Sequence, residues 1–276
     1  MRRALVLTLF LLLAATTGVW GHEGEEEAID SSIQLAQTLR ENSYNVILLT
    51  SAALIVLVVY SIKTKPRKEK MKRILFWTIA FFAVGSNLYL AGATIYTNMV
   101  SPTGGPVHWH TDYEVWNCGQ PLDLIDPTGW DNRVGTWEVH EHNDNRMHIE
   151  GTILNMDQAS FHHFFEITGG TIEQEGMTYP SVNGDVTLPA TGSCNERPAE
   201  LQVFRLYVTN PESQKNWTYT QEKLEYPEGL EKIMAPYSNV PPGDCLIIEY
   251  DAPKEKTTHS CASYRAAMDR GELHGR

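Results

Sequence analysis

The stretch VHWHTDYEVW, residues 107–116, decides the fold of the second half of this chain. Its side chains alternate in character, and successive side chains of a β-strand point to opposite faces of the sheet. One face then carries Val107, Trp109, Thr111, Tyr113 and Val115, and the other carries His108, His110, Asp112, Glu114 and Trp116. The pattern predicts a half-buried strand that presents two histidines on its polar face.

A hairpin is predicted farther along the chain, over residues 136–151, TWEVHEHNDNRMHIEG. If its loop is Asn143–Asn145, with Asn145 left-handed, His140 faces His148 and His142 faces Arg146. One side of the hairpin then carries Trp137, Val139, Met147 and Ile149, and the other carries Glu138, His140, His142, Arg146, His148 and Glu150. A two-residue loop would mix apolar and polar side chains on each face, so the three-residue loop is favoured.

The remaining elements are also short and mostly extended. The turn 117–120 leads into a returning strand over 122–125, and further strands are predicted at 201–208 and 245–250. The segment FHHFFE, residues 161–166, predicts a short helix that Gly169 and Gly170 end, and the tail from Thr257 favours another. The expected class is an all-β or β-dominated domain of the sandwich or jelly-roll type, with one short helix in its body.

The first part of the chain has the pattern of a membrane anchor. Residues 1–21 resemble a signal peptide, or an uncleaved anchor, and residues 22–45 form a short acidic segment. Residues 46–62 and 74–96 are uncharged apolar runs near the ~20 residues that a helix needs to cross a bilayer. They predict a two-helix transmembrane hairpin, and because neither run carries an ionisable Asp, Glu, Lys, Arg or His, an anchor is favoured over a transporter.

The loop between the two runs sets the orientation. Residues 63–73, KTKPRKEKMKR, contain seven basic side chains and one acidic side chain. Basic loops stay on the cytoplasmic side, so this loop is expected in the cytoplasm. Residues 22–45 and the large domain 97–276 are then expected outside it, whether or not residues 1–21 are cleaved. The predicted location is the cell membrane, with the C-terminal domain extracytoplasmic.

The net charge and the cysteines limit which binding partners and which cellular compartment are expected. The formal net charge of −12 argues against nucleic acid, whose phosphates need a basic surface. All four cysteines lie in the C-terminal domain and none forms a Cys-x-x-Cys pair, which disfavours a zinc ribbon. An exported domain favours disulfides, of which three connectivities exist. The pairs Cys118–Cys194 and Cys245–Cys261 are favoured, with free buried cysteines as the alternative.

The histidines carry the functional prediction. His-x-His on a strand puts both rings on one face, where they can bind one metal ion together with a ligand from a neighbouring strand. Two such pairs occur, and His148 is the natural third ligand for either, which gives the candidate set His108, His110, His140, His142 and His148. Side chains that could add oxygen ligands or orient the rings are Asp112, Glu114, Asp144, Arg146 and Glu150. Copper or zinc is the expected ion, and the alternative is a polar network without metal.

Two resemblances accompany these residues. HWHTDYE, residues 108–114, resembles part of the cupin metal motif, which implies an analogy of fold. The segments HWHTDYEVWNCGQPLDL, VHEHNDNRMHIEG, FHHFFEITGG and PPGDCLIIEY resemble a loosely defined group of uncharacterised exported prokaryotic proteins, over residues 107–250. This second resemblance implies the extracytoplasmic placement and the histidine pattern, and it implies no reaction.

Three functions compete at this point. The first is a non-catalytic module that binds copper or zinc outside the membrane. The second is a cupin-like metalloenzyme with Glu114 or Glu150 as general base. It is less favoured, because the sequence has no nucleophile elbow, phosphate loop or His-Glu-x-x-His helix. The third is a structural or interaction protein of the cell surface, or a subunit of a membrane complex. The expected partners are the lipid bilayer and a metal ion.

Overall fold

Two long helices precede a β-rich region. The structure, a computed structural model, describes residues 25–213, 215–233 and 243–275, so the expected signal peptide at 1–21 lies outside the described residues. Helix α1 spans Glu25–Thr64 and helix α2 spans Glu69–Val100. The apolar runs 46–62 and 74–96 lie inside them. Helix α1 also takes in most of the acidic segment 22–45, and the two helices take in all of the basic stretch 63–73 except residues 65–68.

Both helices are long and apolar enough to cross a membrane. They pack against each other, yet most of their large apolar side chains remain exposed, among them Leu48, Leu49, Phe76, Trp77 and Leu88. The core helix of a water-soluble protein would bury such side chains. An exposed apolar surface of this kind is the surface that hydrocarbon would cover.

The region from Val107 onward is β-dominated, as the sequence predicts. The strands are β1 Val107–Asn117, β2 Gln120–Leu122, β3 Val134–Gly135, β4 Val139–Glu141, β5 Arg146–Gly151, β6 Thr171–Glu173, β7 Gly176–Tyr179, β8 Val186–Pro189, β9 Thr191–Cys194, β10 Arg197–Val208, β11 Trp217–Leu224, β12 Asp244–Asp251 and β13 Leu273–Gly275. Two short α-helices accompany them, the predicted Phe-rich helix α3 Phe161–Ile167 and helix α4 Ala262–Asp269 in the tail.

Ten of these strands form one sheet, in the order β13-β11-β10-β12-β1-β5-β4-β3, with β2 and β9 added beside β1 and β10. Strands β6, β7 and β8 form a second, smaller sheet. The large sheet is mixed, because β1 pairs with β12 and β11 with β13 in parallel, whereas its other pairs are antiparallel. The narrower expectation of a sandwich or jelly roll stays a prediction.

The two predicted hairpins form with different loops. Strand β1 turns back through Cys118 and Gly119, which both have positive φ, so β2 spans Gln120–Leu122. The expected strand over 122–125 shares only Leu122 with it. In the second hairpin, His140 pairs with His148 and Asn145 has a φ of 55°, which confirms the three-residue loop. Asn143 also has a positive φ of 66°. Asparagine tolerates this region better than most residues, which suits it to such a loop.

The faces of the second hairpin follow the alternation, with one exception. Val139, Met147 and Ile149 are fully buried as expected, but Trp137 is 68% exposed and the Arg133 guanidinium stacks on its ring at 3.4 Å. The placement of Trp137 on the apolar side is therefore wrong. The reason is a tight turn, in which the Thr136 N–H donates to the Val139 carbonyl, so that strand β4 begins only at Val139.

The large sheet buries different clusters on its two faces. On the first face, Tyr113 and Val115 of β1 join Ile149 of β5 and Ile248 of β12, and Phe164 of α3 packs on them. The Phe-rich helix forms because Ser160 caps it, with its hydroxyl accepting from the His163 N–H, and because all three of its phenylalanines enter this core. This face forms the main hydrophobic core.

The second face is divided. Over strands β10 and β12, Phe204, Leu206 and Ile247 form a smaller apolar cluster, which helix α4 covers with Tyr264 and Ala267. Over β1, β5 and β4, the same face carries the polar residues of the predicted strands. Residues paired across neighbouring strands point to the same face, and Asp112 pairs with Cys245 of the apolar cluster, as His110 pairs with His148. One half of this face is therefore packed, and the other half carries the histidines.

Both favoured disulfide pairs are at bonding distance in the structure. The Sγ atoms of Cys118 and Cys194 are 2.00 Å apart, and those of Cys245 and Cys261 are 2.07 Å apart. The first pair joins the β1–β2 turn to β9, and the second joins β12 to the start of α4. The alternative of free cysteines is thereby ruled out for this structure.

Candidate metal centre

Three neighbouring strands bring the five candidate histidines together. His110 of β1 lies opposite His148 of β5, and His148 lies opposite His140 of β4. These three residues therefore form a row across the sheet. His108 and His142 lie two residues along the chain from His110 and His140, so alternation places each of them on the same face as its partner.

The imidazole rings form a continuous chain. Ring centroids are 4.6 Å apart for His108 and His110, 4.7 Å for His110 and His148, 4.8 Å for His148 and His142, and 4.6 Å for His142 and His140. The rings of His140 and His148 are parallel, with centroids 5.6 Å apart. Neighbouring rings are in contact at these distances, so a single ion could contact several of them.

Two groups of three histidines have the geometry of a metal site. The outer triad is His108, His110 and His148, and the inner triad is His140, His142 and His148. Within each triad the ligand atoms lie within 4.8 Å of one another. Because a zinc–nitrogen bond is about 2.0–2.1 Å long, small rotations of the side chains would let each triad surround one ion. His148 belongs to both.

Polar partners fix the orientation of three of the rings. His142 Nδ1 lies 2.5 Å from the Asn132 carbonyl oxygen, and His148 Nε2 lies 3.2 Å from a carboxylate oxygen of Asp144. His108 Nε2 lies 3.1 Å from Glu150 Oε1. Histidines that bind metals commonly donate their second ring N–H to a carbonyl or carboxylate in this way. Such hydrogen bonds leave His142 Nε2, His148 Nδ1 and His108 Nδ1 to face an ion.

Two nitrogens of the inner triad are buried without a hydrogen-bond partner among the described residues. They are Nδ1 of His140 and Nδ1 of His148. A buried polar atom without a partner costs free energy of about 1–3 kcal/mol. An ion bound to these two nitrogens would give them the partners that the described residues do not provide.

The environment keeps at least two of the rings neutral. Burial, followed by the neighbouring His148 and His108, lowers the pKa of His110 from 6.5 to about 4. Burial also lowers the pKa of His140, and its neighbour His142 adds to the effect. Only neutral imidazole binds a metal ion. At neutral pH these two side chains can therefore bind an ion without first losing a proton.

The structure brings only some of the other candidates to the histidines. Asp144 and Glu150 contact rings directly, as described above. Asp112 instead pairs with Arg146, whose Nε lies 2.5 Å from its carboxylate, and the Asp112 hydrogen bond raises the pKa of Arg146. Glu114 lies farther along β1, where it pairs with Arg265 at 3.0 Å and accepts from the Trp116 indole at 3.1 Å.

Two residues that support the site, Asn132 and Glu141, were missed from the sequence. Asn132 acts through its backbone carbonyl, which every residue has, so no sequence signal could identify it. Glu141 is only 1% exposed, because alternation turns it to the core side of β4. One of its carboxylate oxygens accepts from the backbone N–H groups of Asp144 and Asn145 at 2.5 and 3.0 Å, and burial raises its pKa despite these bonds. Its position in the sequence, between two histidines of the opposite face, was the signal that could have placed it beneath the site.

A cavity lies beside the outer triad, where helices α1 and α2 meet the sheet. It has a volume of about 500 Å³, and its lining includes Arg40, Tyr44, Asn98, Glu138 and Glu150. Arg40 of α1 pairs with Glu138 at 2.7 Å, which joins the helices to the domain. Glu150 both lines the cavity and contacts His108. The cavity is of the size that small ligands occupy in proteins.

Comparisons with known proteins give no guide to this site. No protein-family model, curated protein or solved structure matches the chain.

Proposed function

We propose that this protein binds a divalent transition metal ion, copper or zinc, on the histidine face of an extracytoplasmic domain that two helices anchor in the membrane. The observation that carries the proposal is the chain of five imidazole rings, with His148 at its centre and two buried nitrogens that lack hydrogen-bond partners among the described residues. Imidazole is a preferred ligand of both metals. The module stores or hands over the ion and catalyses no reaction.

The proposed placement rests on charge and covalent chemistry. Seven basic side chains lie between the two apolar runs, and basic loops are retained in the cytoplasm. From this loop, each helix then crosses to the outer side of the membrane, where the domain begins. Two disulfides suit an oxidising compartment and are rare in the cytosol. A cysteine-directed or glycosylation-based topology assay on the intact chain tests this placement, and a cytoplasmic C-terminus would contradict it.

The metal proposal is tested on the untagged, full-length protein in detergent. After removal of metal with a chelator, the protein is incubated with Zn²⁺ or Cu²⁺, freed of excess ion and measured by elemental mass spectrometry. We expect about one equivalent of ion in the wild type. His148→Ala should bind none, because His148 belongs to both triads. His274→Ala is the matched control, since His274 is exposed on β13 and far along the sheet from β5.

The metal content of the wild-type protein decides whether the proposal holds. Absence of bound ion in the wild type, with the domain folded, would end it and favour a polar network of structural role. Equal metal content in the wild type and in His148→Ala would show that the ion binds elsewhere. Circular dichroism of each variant separates loss of the site from loss of the fold.

A metalloenzyme is the second candidate, and a specific observation favours it. Each triad provides three protein ligands, and catalytic zinc sites combine three protein ligands with one open position for water or substrate. Of the two expected general bases, only Glu150 lies near the histidines, where it also lines the cavity of about 500 Å³. Glu114 is held by Arg265 instead.

Hydrolysis of a chromogenic ester by the zinc-loaded protein distinguishes the two candidates. A binding module should show no turnover above that of the His148→Ala variant. An enzyme should lose most of its kcat in Glu150→Gln while it keeps its metal, because Glu150 would act on water rather than on the ion.

A further inference from the structure

The two triads differ in a way that suggests a path for the ion, and the inference rests on the function proposed above. We propose that they are two alternative positions for one ion, which loads at the outer triad and moves to the inner triad while it remains bound to His148. The outer triad is thus the exchange site and the inner triad the holding site.

Burial separates the two positions. The His108 side chain is 64% exposed, whereas that of His148 is only 11% exposed and His140 is buried. An ion from solvent therefore meets His108 first. In the inner triad, two of three residues are buried. Nδ1 of His148 is common to both triads, so the inner triad differs by Nδ1 of His140, which is buried without a hydrogen-bond partner among the described residues. The inner triad has more to gain from an ion.

Orientation of the rings also favours the inner position for a resident ion. His148 and its partner Asp144 are common to both triads, so the triads differ in the partners of their other rings. His142 is held by the Asn132 carbonyl, and His108 by Glu150. The Asn132 partner is a backbone carbonyl, whereas Glu150 is a side chain, and both His108 and Glu150 are well exposed. Ring-orienting partners typically contribute about 10–100-fold to metal affinity.

The shared residue limits the face to one ion at a time. With Nε2 of His148 hydrogen-bonded to Asp144, only Nδ1 remains to bind metal, and one nitrogen has a single lone pair for one ion. Occupation of one triad therefore excludes the other.

Short steps connect the two positions. The His148 ring is 4.7 Å from His110 and 4.8 Å from His142, measured between centroids. An ion on His148 can exchange His110 for His142, and then His108 for His140, by rotation of these side chains. The transfer is a ligand substitution, so the oxidation state of the ion does not change and no co-reactant is needed. Water completes the coordination in each position.

The test measures affinity and exchange rate separately, with Zn²⁺ alone as the probe and the full-length protein in detergent. Zinc release is followed after addition of a chromogenic chelator, and zinc uptake by stopped flow. In His108→Ala we expect one bound equivalent with affinity within about threefold of wild type, but uptake and release both slowed about tenfold or more. Removal of an entry site changes both rates together and leaves the equilibrium nearly unchanged.

The matched variant is His142→Ala, at the corresponding position of the inner triad. It should bind zinc at least about 100-fold more weakly, because a direct ligand contributes no less than the partners that orient it. Its uptake should remain as fast as in wild type, since the outer triad is intact.

Three results would overturn the inference. Two equivalents of zinc in the wild type would show that His148 bridges two ions. Unchanged exchange rates in His108→Ala would show that solvent reaches the inner triad directly. Equal losses of affinity in His108→Ala and His142→Ala would indicate a single site of five histidines. Each leaves metal binding itself intact, whereas a wild type that binds no zinc would instead defeat the proposed function and the inference with it.

Discussion

Two halves of one sheet face differ in nearly everything except their backbone. Over β10 and β12 the face carries Phe204, Leu206 and Ile247, and helix α4 and the Cys245–Cys261 disulfide cover it. Over β1, β5 and β4 it carries a row of histidines, which are not part of the apolar cluster beneath α4. The strands are hydrogen-bonded across the boundary, because β12 pairs with β1.

The difference indicates what each half contributes. The covered half gains free energy by removing apolar surface from water, about 25 cal/mol per Å². The histidine half has little apolar surface to bury, and its polar groups instead face one another and the solvent. A sheet face that is lined with ring nitrogens is suited to binding an ion. We therefore expect mutations in the covered half to change stability and those in the histidine half to change metal binding.

The largest expected effect is on the covered half. Tyr264 is fully buried, and its hydroxyl lies 3.0 and 2.8 Å from the carbonyl oxygens of Leu206 and Gly243. Tyr264→Ala should lower the free energy of unfolding by about 3–5 kcal/mol. The matched change His108→Ala, at an exposed ring, should stay within about 0.5 kcal/mol. Urea unfolding of the metal-free protein, followed by tryptophan fluorescence, measures both. Equal losses would abolish the distinction between the two halves.

The next effect concerns the disulfide of the covered half. Cys245 and Cys261 are 16 residues apart. Replacement of both by serine should lower the free energy of unfolding by about 3 kcal/mol, because a loop of this size gains that much conformational freedom in the unfolded chain. Zinc affinity, measured where the variant is still folded, should not change. A parallel loss of zinc binding would show that the covered half also shapes the histidine half.

A third prediction concerns the histidine half and pH. The pKa of His110 is about 4 in the folded protein and 6.5 in the reference state, chiefly because of burial. Between these values the unfolded chain binds a proton that the folded chain does not, so stability of the metal-free protein rises with pH over this window and is lost as pH falls. His110→Gln should reduce this slope. Thermal unfolding at a series of pH values between 4 and 7 tests it, and an unchanged slope would contradict it.

The smallest effect lies at the boundary between the halves. There Trp116 of β1 stacks on His259, with ring centroids 3.8 Å apart. His259→Ala should cost about 0.5–1.5 kcal/mol, the usual contribution of an aromatic pair. It should shift the tryptophan emission slightly and leave zinc binding unchanged. A loss of zinc in this variant would extend the metal site beyond the five histidines.

Much of the site could be predicted from the sequence because its key relations are local. Alternation places His108 with His110, and the three-residue loop places His140 opposite His148; both follow from the two-residue period of a strand. Both cysteine pairs and the Phe-rich helix were also predicted correctly. The metal ion, the orientation in the membrane and the resemblance to exported prokaryotic proteins stay predictions.

The errors lie where a local pattern met a turn or a distant partner. Trp137 fits the alternation, but it lies in the turn that follows Thr136, and strand β4 begins only at Val139. Glu114 shares a face with His110, but it lies toward the other end of β1 and finds Arg265 of α4, more than a hundred residues away in the chain. Neither outcome is visible in a window of neighbouring residues.

By itself, the sequence determined which side chains share a face, where the chain is apolar enough to enter a membrane and which rings form pairs. These properties depend on periodicity and composition within short stretches. Only the tertiary structure decided that β1 lies beside β5, so that His110 meets His148 and the two pairs become one chain of rings. Pairing of strands that are distant in sequence depends on how the whole chain buries its apolar surface. The Asn132 carbonyl likewise reaches His142 only in the folded domain.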